Sequence, residues 1–265
     1  MRDAEPYAAP TPNVLYIHDD LGDYVSRKHG QESPAGRITR ELFALVRRDP
    51  KRVVLLTLDS QIASLAAHRN FDPFPLTIGI GRAGERVAQQ VHARTGWFPN
   101  ISRVDVTREE DGCGSYNVVS TSGIPLAQQL PGLEAVSSVG VVDDTVFSGL
   151  TMRTILMALP VEIRPRTQAF CLRGVAASLV GIATLCSIAI GFAAPGRLLD
   201  EVSFINASGL VMRVGIRHPE RPSQAFFERP IWMHAWFPGY ANEVIALCQR
   251  LNALLEPDGR PADFP

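Results

Sequence analysis

Residues Val139 to Thr151 read VGVVDDTVFSGLT, and their types and order can do chemistry. Val139, Gly140, Val141 and Val142 make an unbroken small or apolar run, the pattern of a short strand buried on both faces. Asp143 and Asp144 follow at once. Then come the loop Thr145-Val146-Phe147-Ser148, Gly149, Thr151, and a helical run from Leu150 to Leu159. Backbone N–H groups at a helix N-terminus favour an anion such as phosphate, and a glycine there lets the backbone come close. The two aspartates would repel that anion, so they suit hydroxyl groups or a metal ion on the same ligand. The competing reading is a buried turn whose aspartates only cap a helix.

A second loop lies upstream, in Leu76 to Ala88, LTIGIGRAGERVA. A strand runs into Gly79-Ile-Gly81-Arg82-Ala83-Gly84 and on into a helix carrying Val87, Ala88 and Val91. This is GxGxxG, and Asp105 stands at the end of the next apparent strand. The pattern matches a dinucleotide-binding fingerprint, so a nicotinamide-dependent oxidoreductase is one alternative. Two phosphate loops in succession account for more of the chain than one nucleotide fingerprint does.

The segment 139–151 resembles the signature of type I phosphoribosyltransferases: four hydrophobic positions, two acids, a short loop, Thr or Ser, Gly, and a final Thr or Ser. The resemblance implies that Asp143 and Asp144 hold the ribose 2- and 3-hydroxyls of phosphoribosyl pyrophosphate (PRPP) and its magnesium. It implies that Thr145, Val146, Phe147, Ser148, Gly149 and Thr151 bind the 5-phosphate. The earlier loop, Gly81, Arg82, Ala83 and Gly84, would receive the pyrophosphate. Ser148 stands where threonine is usual, which keeps the hydroxyl donor, and Phe147 is bulky for such a loop. The resemblance covers roughly residues 76 to 192.

Around these loops the sequence alternates strand and helix patterns. Ile38, Leu42, Leu45 and Val46 give Ala35 to Arg48 a helical face, and Val53 to Leu56 reads as a strand. Ser60 is placed to cap a short helix. Thr167 to Leu172, a small-residue helix at 176–186 and a strand at 187–192 complete the series. The expected fold class is therefore α/β, a mostly parallel sheet with helices on both faces, with N- and C-terminal additions that could form a hood. The expected organisation is an N-terminal arm at 1–34, a phosphoribosyltransferase-like core at 35–199 and an extension at 200–265.

Ser102 to Thr107 alternates like a strand, with Tyr116 to Val119 as its return across a polar, glycine-hinged connection. The family carries a flexible loop at this place that closes over the substrate and contributes basic residues. Arg103 and Arg108 are the basic candidates for a catalytic role here, although the tip, Glu109-Glu110-Asp111, is acidic.

Three further stretches have competing readings. His18-Asp19-Asp20-Leu-Gly-Asp23 has the DDxxD spacing of a magnesium–pyrophosphate cluster, but the neighbouring Gly22, Gly30 and Pro34 favour a solvated turn. Val202 to Ile205 and Leu210 to Ile216 read as two strands joined at Asn206-Ala-Ser-Gly209. Phe226, Phe227, Trp232, His234, Trp236, Phe237 and Tyr240 then form an aromatic cluster. It is either core packing or a hood, in which Trp232 and Trp236 would stack on a planar acceptor. A closing amphipathic helix runs from Tyr240 to Leu254.

Composition narrows the class. Lysine and arginine number 26 against 27 acidic residues, a formal net charge of −1, so nucleic acid is not an expected partner. Cys113, Cys171, Cys186 and Cys248 show neither CxxC spacing nor a disulfide framework, which favours a cytoplasmic location. No signal peptide is expected in the first residues. Gly174 to Gly196 is uncharged and long enough to span a bilayer, but its small residues and Pro195 favour a buried helix and strand.

The resemblance implies transfer of the 5-phosphoribosyl group from PRPP, carried with Mg²⁺, to a small planar acceptor, releasing pyrophosphate. A homodimer is the expected assembly, without membrane association. A regulator that senses PRPP without turnover, or an enzyme for another ribose phosphate, are the alternatives on the same fold.

Overall fold

The computed structural model describes residues 12–68, 70–110, 116–130, 132–133, 136–198, 201–214, 216–218 and 221–257. The start of the N-terminal arm and the hairpin tip with Cys113 lie outside these. In chain order the described residues form β1 (Val14–Asp19), α1 (Leu21–His29), α2 (Pro34–Val46), β2 (Val53–Thr57), α3 (Leu58–His68), β3 (Leu76–Ile80) and α4 (Gly81–Thr95). Next come β4 (Ile101–Val104), β5 (Val106–Glu110), β6 (Tyr116–Ser120), α5 (Leu126–Gln129), β7 (Val139–Val146), α6 (Leu150–Ala158), β8 (Thr167–Val175) and α7 (Ala176–Ala183). The remainder is β9 (Ser187–Ala194), β10 (Val202–Asn206), α8 (Ala207–Val211), β11 (Ile216–His218), β12 (Arg221–Gln224), α9 (Pro230–Trp236) and α10 (Ala241–Leu255).

The chain divides into two units, Asp59–Gly196 and the pair of segments Met1–Leu58 and Arg197–Pro265. This corrects the expected partition. Residues 35–58 join the C-terminal segment because β1 pairs in parallel with both β10 and β2, so the two ends of the chain build one sheet.

The unit Asp59–Gly196 is built on a five-stranded sheet of order β4-β3-β7-β8-β9, parallel throughout. The fold is α/β, as its alternating strands and helices require. On one face Val139, Val141, Ala169 and Cys171 pack with Met152, Ile155 and Leu156 of α6 and Ile182 of α7. On the other, Phe71, Phe74, Trp97, Phe98 and Phe170 meet ring to ring at centroid distances of 5.0–6.2 Å. Burial on both faces is why these strands read as continuous apolar runs instead of alternating. The strand expected across 102–107 is broken at Asp105. There the Gln129 side chain accepts a hydrogen bond from the Asp105 amide at 2.7 Å, and the chain leaves the sheet to form the antiparallel β5–β6 hairpin. The uncharged segment 174–196 ends β8 and forms α7 and β9. Among the described residues no helix is long and apolar enough to cross a membrane.

The other unit has a three-stranded parallel sheet, β10-β1-β2. Leu15 and Ile17 of β1 pack with Leu21, Leu42, Leu210, Val244 and Leu251 from its helices and with Phe237 just beyond α9. The turn expected at 206–209 is instead the helix α8, which also takes Leu210 and Val211 from the strand expected at 210–216, and its five residues are all buried. A helix buried on every side carries no amphipathic alternation, so its sequence cannot be told from a buried strand by periodicity. The DDxxD segment is likewise not a solvated turn: it ends β1 and opens α1. Asp19 Oδ1 accepts the Gly22 N–H at 2.8 Å, while Asp20 accepts the Ser208 N–H at 2.8 Å and hydroxyl at 2.6 Å.

Candidate functional site

In the five-stranded sheet β3 connects through α4 to β4 on one side, whereas β7 connects through α6 to β8 on the other. Adjacent strands whose crossovers leave in opposite directions open a crevice at their C-terminal ends, where open α/β sheets bind ligands. Here that crevice lies between β3 and β7, which pair at Leu76↔Val139 through Gly79↔Val142. Both loops singled out from the sequence end there.

Each loop is shaped by its glycines. A Cβ on Gly79 would lie 2.6 Å from the Glu85 Cα, and one on Gly84 would lie 2.4 Å from the Val142 carbonyl oxygen. Those two positions let α4 lie close on β3 and β7. Gly81 turns the chain between them with φ +60°. The exposed Arg82 and Ala83 then sit in the first turn of α4, where N–H groups have no helical partner. The GxGxxG glycines thus have a packing role that does not itself name a ligand. Asp105 is the expected ribose ligand of a dinucleotide fold, but its carboxylate pairs with Arg103 at 2.8 Å.

The strand β7 runs further than expected, through Val146, so Asp143, Asp144, Thr145 and Val146 belong to its end. The loop proper is Phe147, Ser148 and Gly149. Gly149 has φ +77° and stands at the N-cap of α6, where Ser148 Oγ accepts the Leu150 N–H at 3.4 Å. Thr151 lies in the first turn of α6.

Neighbouring strand positions place the functional groups. Asp143 pairs in register with Cys171, and Thr145 with Arg173. Asp143 Oδ1 accepts the Asp144 N–H at 2.8 Å. Asp144 Oδ2 accepts from Thr145 Oγ1 at 3.0 Å and from Arg173 Nη2 at 3.1 Å. Burial, and then the charge of Asp144, hold the Asp143 carboxyl well above the usual carboxylate range. Arg108, the exposed candidate on β5, is near enough for its charge to oppose that shift. Burial and the two acids also push the Cys171 thiol upward, so it stays protonated and makes a poor nucleophile.

The remaining candidates are placed differently. Arg103 is held between Glu85 at 3.1 Å and Asp105 at 2.8 Å, a pairing that pins β4 to α4 and leaves its guanidinium engaged. Trp236 is buried in the core of the other unit, 5.1 Å from the Phe226 ring. Trp232 packs against both. The acceptor-stacking role for Trp236 is therefore corrected: its faces are closed by core packing, and Trp232 is half-buried in the same cluster.

Arg173 is not among the site residues expected from the sequence. It was visible as the one charge within the otherwise uncharged strand TQAFCLRGV, and lone charges in buried strands are rare unless paired.

As magnesium ligands the two acids are a poor fit. Asp144 Oδ2 already has two donors, Asp143 Oδ1 has one, and among the described residues no group of three or more His, Cys, Asp and Glu could hold a metal ion.

No family model matches the chain, and none of the curated proteins does. Solved structures share part of its fold. A purine phosphoribosyltransferase from Pyrococcus horikoshii is 19% identical, covering 56% of this chain and 87% of that one, with a TM-score of 0.39. A hypothetical protein from Neisseria gonorrhoeae with bound ppGpp is 16% identical, covering 55% and 81%, at 0.41. An adenine phosphoribosyltransferase from Giardia lamblia is 16% identical, covering 57% and 84%, at 0.36. The likeness is partial and concerns the fold alone. The chemistry has to come from this chain's own residues.

Proposed function

We propose that the chain is a PRPP-dependent phosphoribosyltransferase acting on a small planar acceptor. The observation that carries this reading is the crevice between β3 and β7, with a glycine-turned helix start on each strand and Asp143 and Asp144 at its edge. Two helix N-termini suit two phosphate groups, and the acids suit the sugar hydroxyls between them.

In this reading the 5-phosphate sits over the start of α6, at Thr145 to Gly149 and Thr151. Pyrophosphate sits over the start of α4, at Gly81 to Gly84. Asp143 and Asp144 take the ribose 2- and 3-hydroxyls. A nucleophilic atom of the acceptor bonds to ribose C1 while the C1–O bond to pyrophosphate breaks, and the electron pair leaves with the pyrophosphate. The exposed Arg82 and the N–H groups of α4 steady the departing charge. Arg108, rather than the engaged Arg103, is the cation of the hairpin available to the ligand. Magnesium would arrive as part of the substrate, on the pyrophosphate. Positioning and fixed dipoles do the work, with no covalent nucleophile.

The test is calorimetric titration of the full chain with PRPP, with and without Mg²⁺, with NAD as the control. It is followed by a pyrophosphate-release assay against a panel of planar nitrogen heterocycles. Binding of PRPP that is lost in D143N/D144N, together with acceptor-dependent release, is the expected result. Binding without release for any acceptor would favour a sensor of PRPP. A preference for NAD would restore the dinucleotide reading.

A further inference from the structure

Arg173 lies outside the thirteen-residue acid-and-glycine pattern, on the neighbouring strand, yet it reaches into that pattern. It is 3% exposed, and its Nη2 donates to Asp144 Oδ2 at 3.1 Å. Thr145 Oγ1 donates to the same oxygen at 3.0 Å, and the Asp144 amide occupies Asp143 Oδ1. In the register Thr145 lies directly opposite Arg173, one residue beyond Asp144, and from there the guanidinium reaches the Asp144 carboxylate.

A fixed cation beside two acids changes what they can bind. A hard divalent ion needs several free carboxylate oxygens and an excess of negative charge. Arg173 offsets the charge of Asp144 and claims one of its oxygens. A vicinal diol has no net charge and needs acceptors fixed in place. A guanidinium that holds a carboxylate in one rotamer supplies that.

We propose that Arg173 is a positioning and specificity-determining residue. It commits Asp143 and Asp144 to the neutral diol of a ribose phosphate and against a divalent cation held by the protein. This deepens the function proposed above and rests on it.

The full chain and its R173K and R173M variants are titrated with ribose 5-phosphate in the presence of EDTA, by calorimetry. Separately they are titrated with Mn²⁺, read by electron paramagnetic resonance. The wild type should bind ribose 5-phosphate without metal and leave Mn²⁺ free. R173M should lose about tenfold or more in sugar-phosphate affinity and take up Mn²⁺. R173K keeps the charge but loses the planar fork, so it should bind the sugar phosphate more weakly and still leave Mn²⁺ free. A purely structural Arg173 would give no gain of Mn²⁺ uptake. If R173M does not fold, R173K decides: unchanged sugar-phosphate affinity overturns the inference. So does Mn²⁺ uptake by the wild type that D144N removes. A wild type that binds neither ribose 5-phosphate nor PRPP overturns the functional reading itself, a different result from binding that ignores Arg173.

Discussion

Asp144 and Arg173 meet across two parallel strands, Oδ2 to Nη2 at 3.1 Å, with the arginine almost wholly buried and the aspartate side chain 30% exposed. The pair makes the two signature acids unequal. Asp144 is a carboxylate held by a cation, whereas burial and its neighbour's charge drive Asp143 toward the protonated form. Asp143→Asn should therefore leave stability nearly unchanged. Asp144→Asn leaves a buried guanidinium without its carboxylate and should cost about 3 kcal/mol. For a chain of this size that is roughly 6–12 °C in melting temperature. Differential scanning calorimetry of the two single variants checks the asymmetry; equal melting points would refute it.

Both variants should nevertheless lose the ligand. Asp143→Asn with Asp144→Asn is expected to reduce PRPP affinity by about tenfold or more and turnover by orders of magnitude. Titration at a temperature well below the melting point of the double variant separates this loss from unfolding. Normal activity per folded molecule would mark the acids as structural.

Asp19 links stability to pH. Its carboxyl is pushed up to about 6, first by burial, against an ordinary value of 3.8, with Asp23 and Asp20 adding to the shift and the Gly22 N–H and Arg47 opposing it. Between those values the native chain keeps a proton that the unfolded chain has lost. Stability contributed by this residue therefore falls as pH rises from about 4 to about 6 and is level above that. Asp19→Asn removes the dependence while keeping an acceptor for the Gly22 N–H. It should match the wild type near pH 4 and exceed it above pH 7 by about 1–2 kcal/mol, allowing for solvent screening. Urea titrations at the two pH values measure the difference.

Gly84 is set by backbone on both sides. A methyl group there would press on the Val142 carbonyl oxygen at 2.4 Å, and neither α4 nor β7 can yield without losing its hydrogen bonds. Gly84→Ala should destabilise by about 3 kcal/mol and shift the α4 start out of place. Circular dichroism melting reads the first effect, and weakened pyrophosphate binding the second.

In the unit formed by the two ends of the chain, Arg213 bridges Glu228 at 2.9 Å and Glu256 at 3.1 Å, and the Glu256 side chain has no exposed surface. The Arg213 N–H also donates to Glu256 Oε1, and Asn252 Nδ2 donates to Oε2. This joins the end of α8 to α10. Arg213→Met should cost about 3–5 kcal/mol by leaving a buried carboxylate without its cation, and adding Glu256→Gln should recover part of that. A double-mutant cycle in guanidinium measures the coupling.

The strand, acid pair, glycine and helix of 139–151 were legible in the sequence because each is local: an apolar run, a turn residue and a helical period are fixed within a few residues. The GxGxxG glycines were legible for the same reason, although the close contacts of Gly79 and Gly84 that require them are tertiary. Local signals failed where burial erased periodicity, as in α8. They failed too where a side chain's partner came from a distant part of the chain. Only the register of β7 on β8 puts Arg173 beside Asp144, and only the pairing of β1 with β10 joins the two ends into a unit. Trp236 could have been a stacking face or a core residue on sequence alone, since an aromatic ring serves both. Its packing on Phe226 decided it, because burial is a property of what surrounds a residue and not of the residue itself.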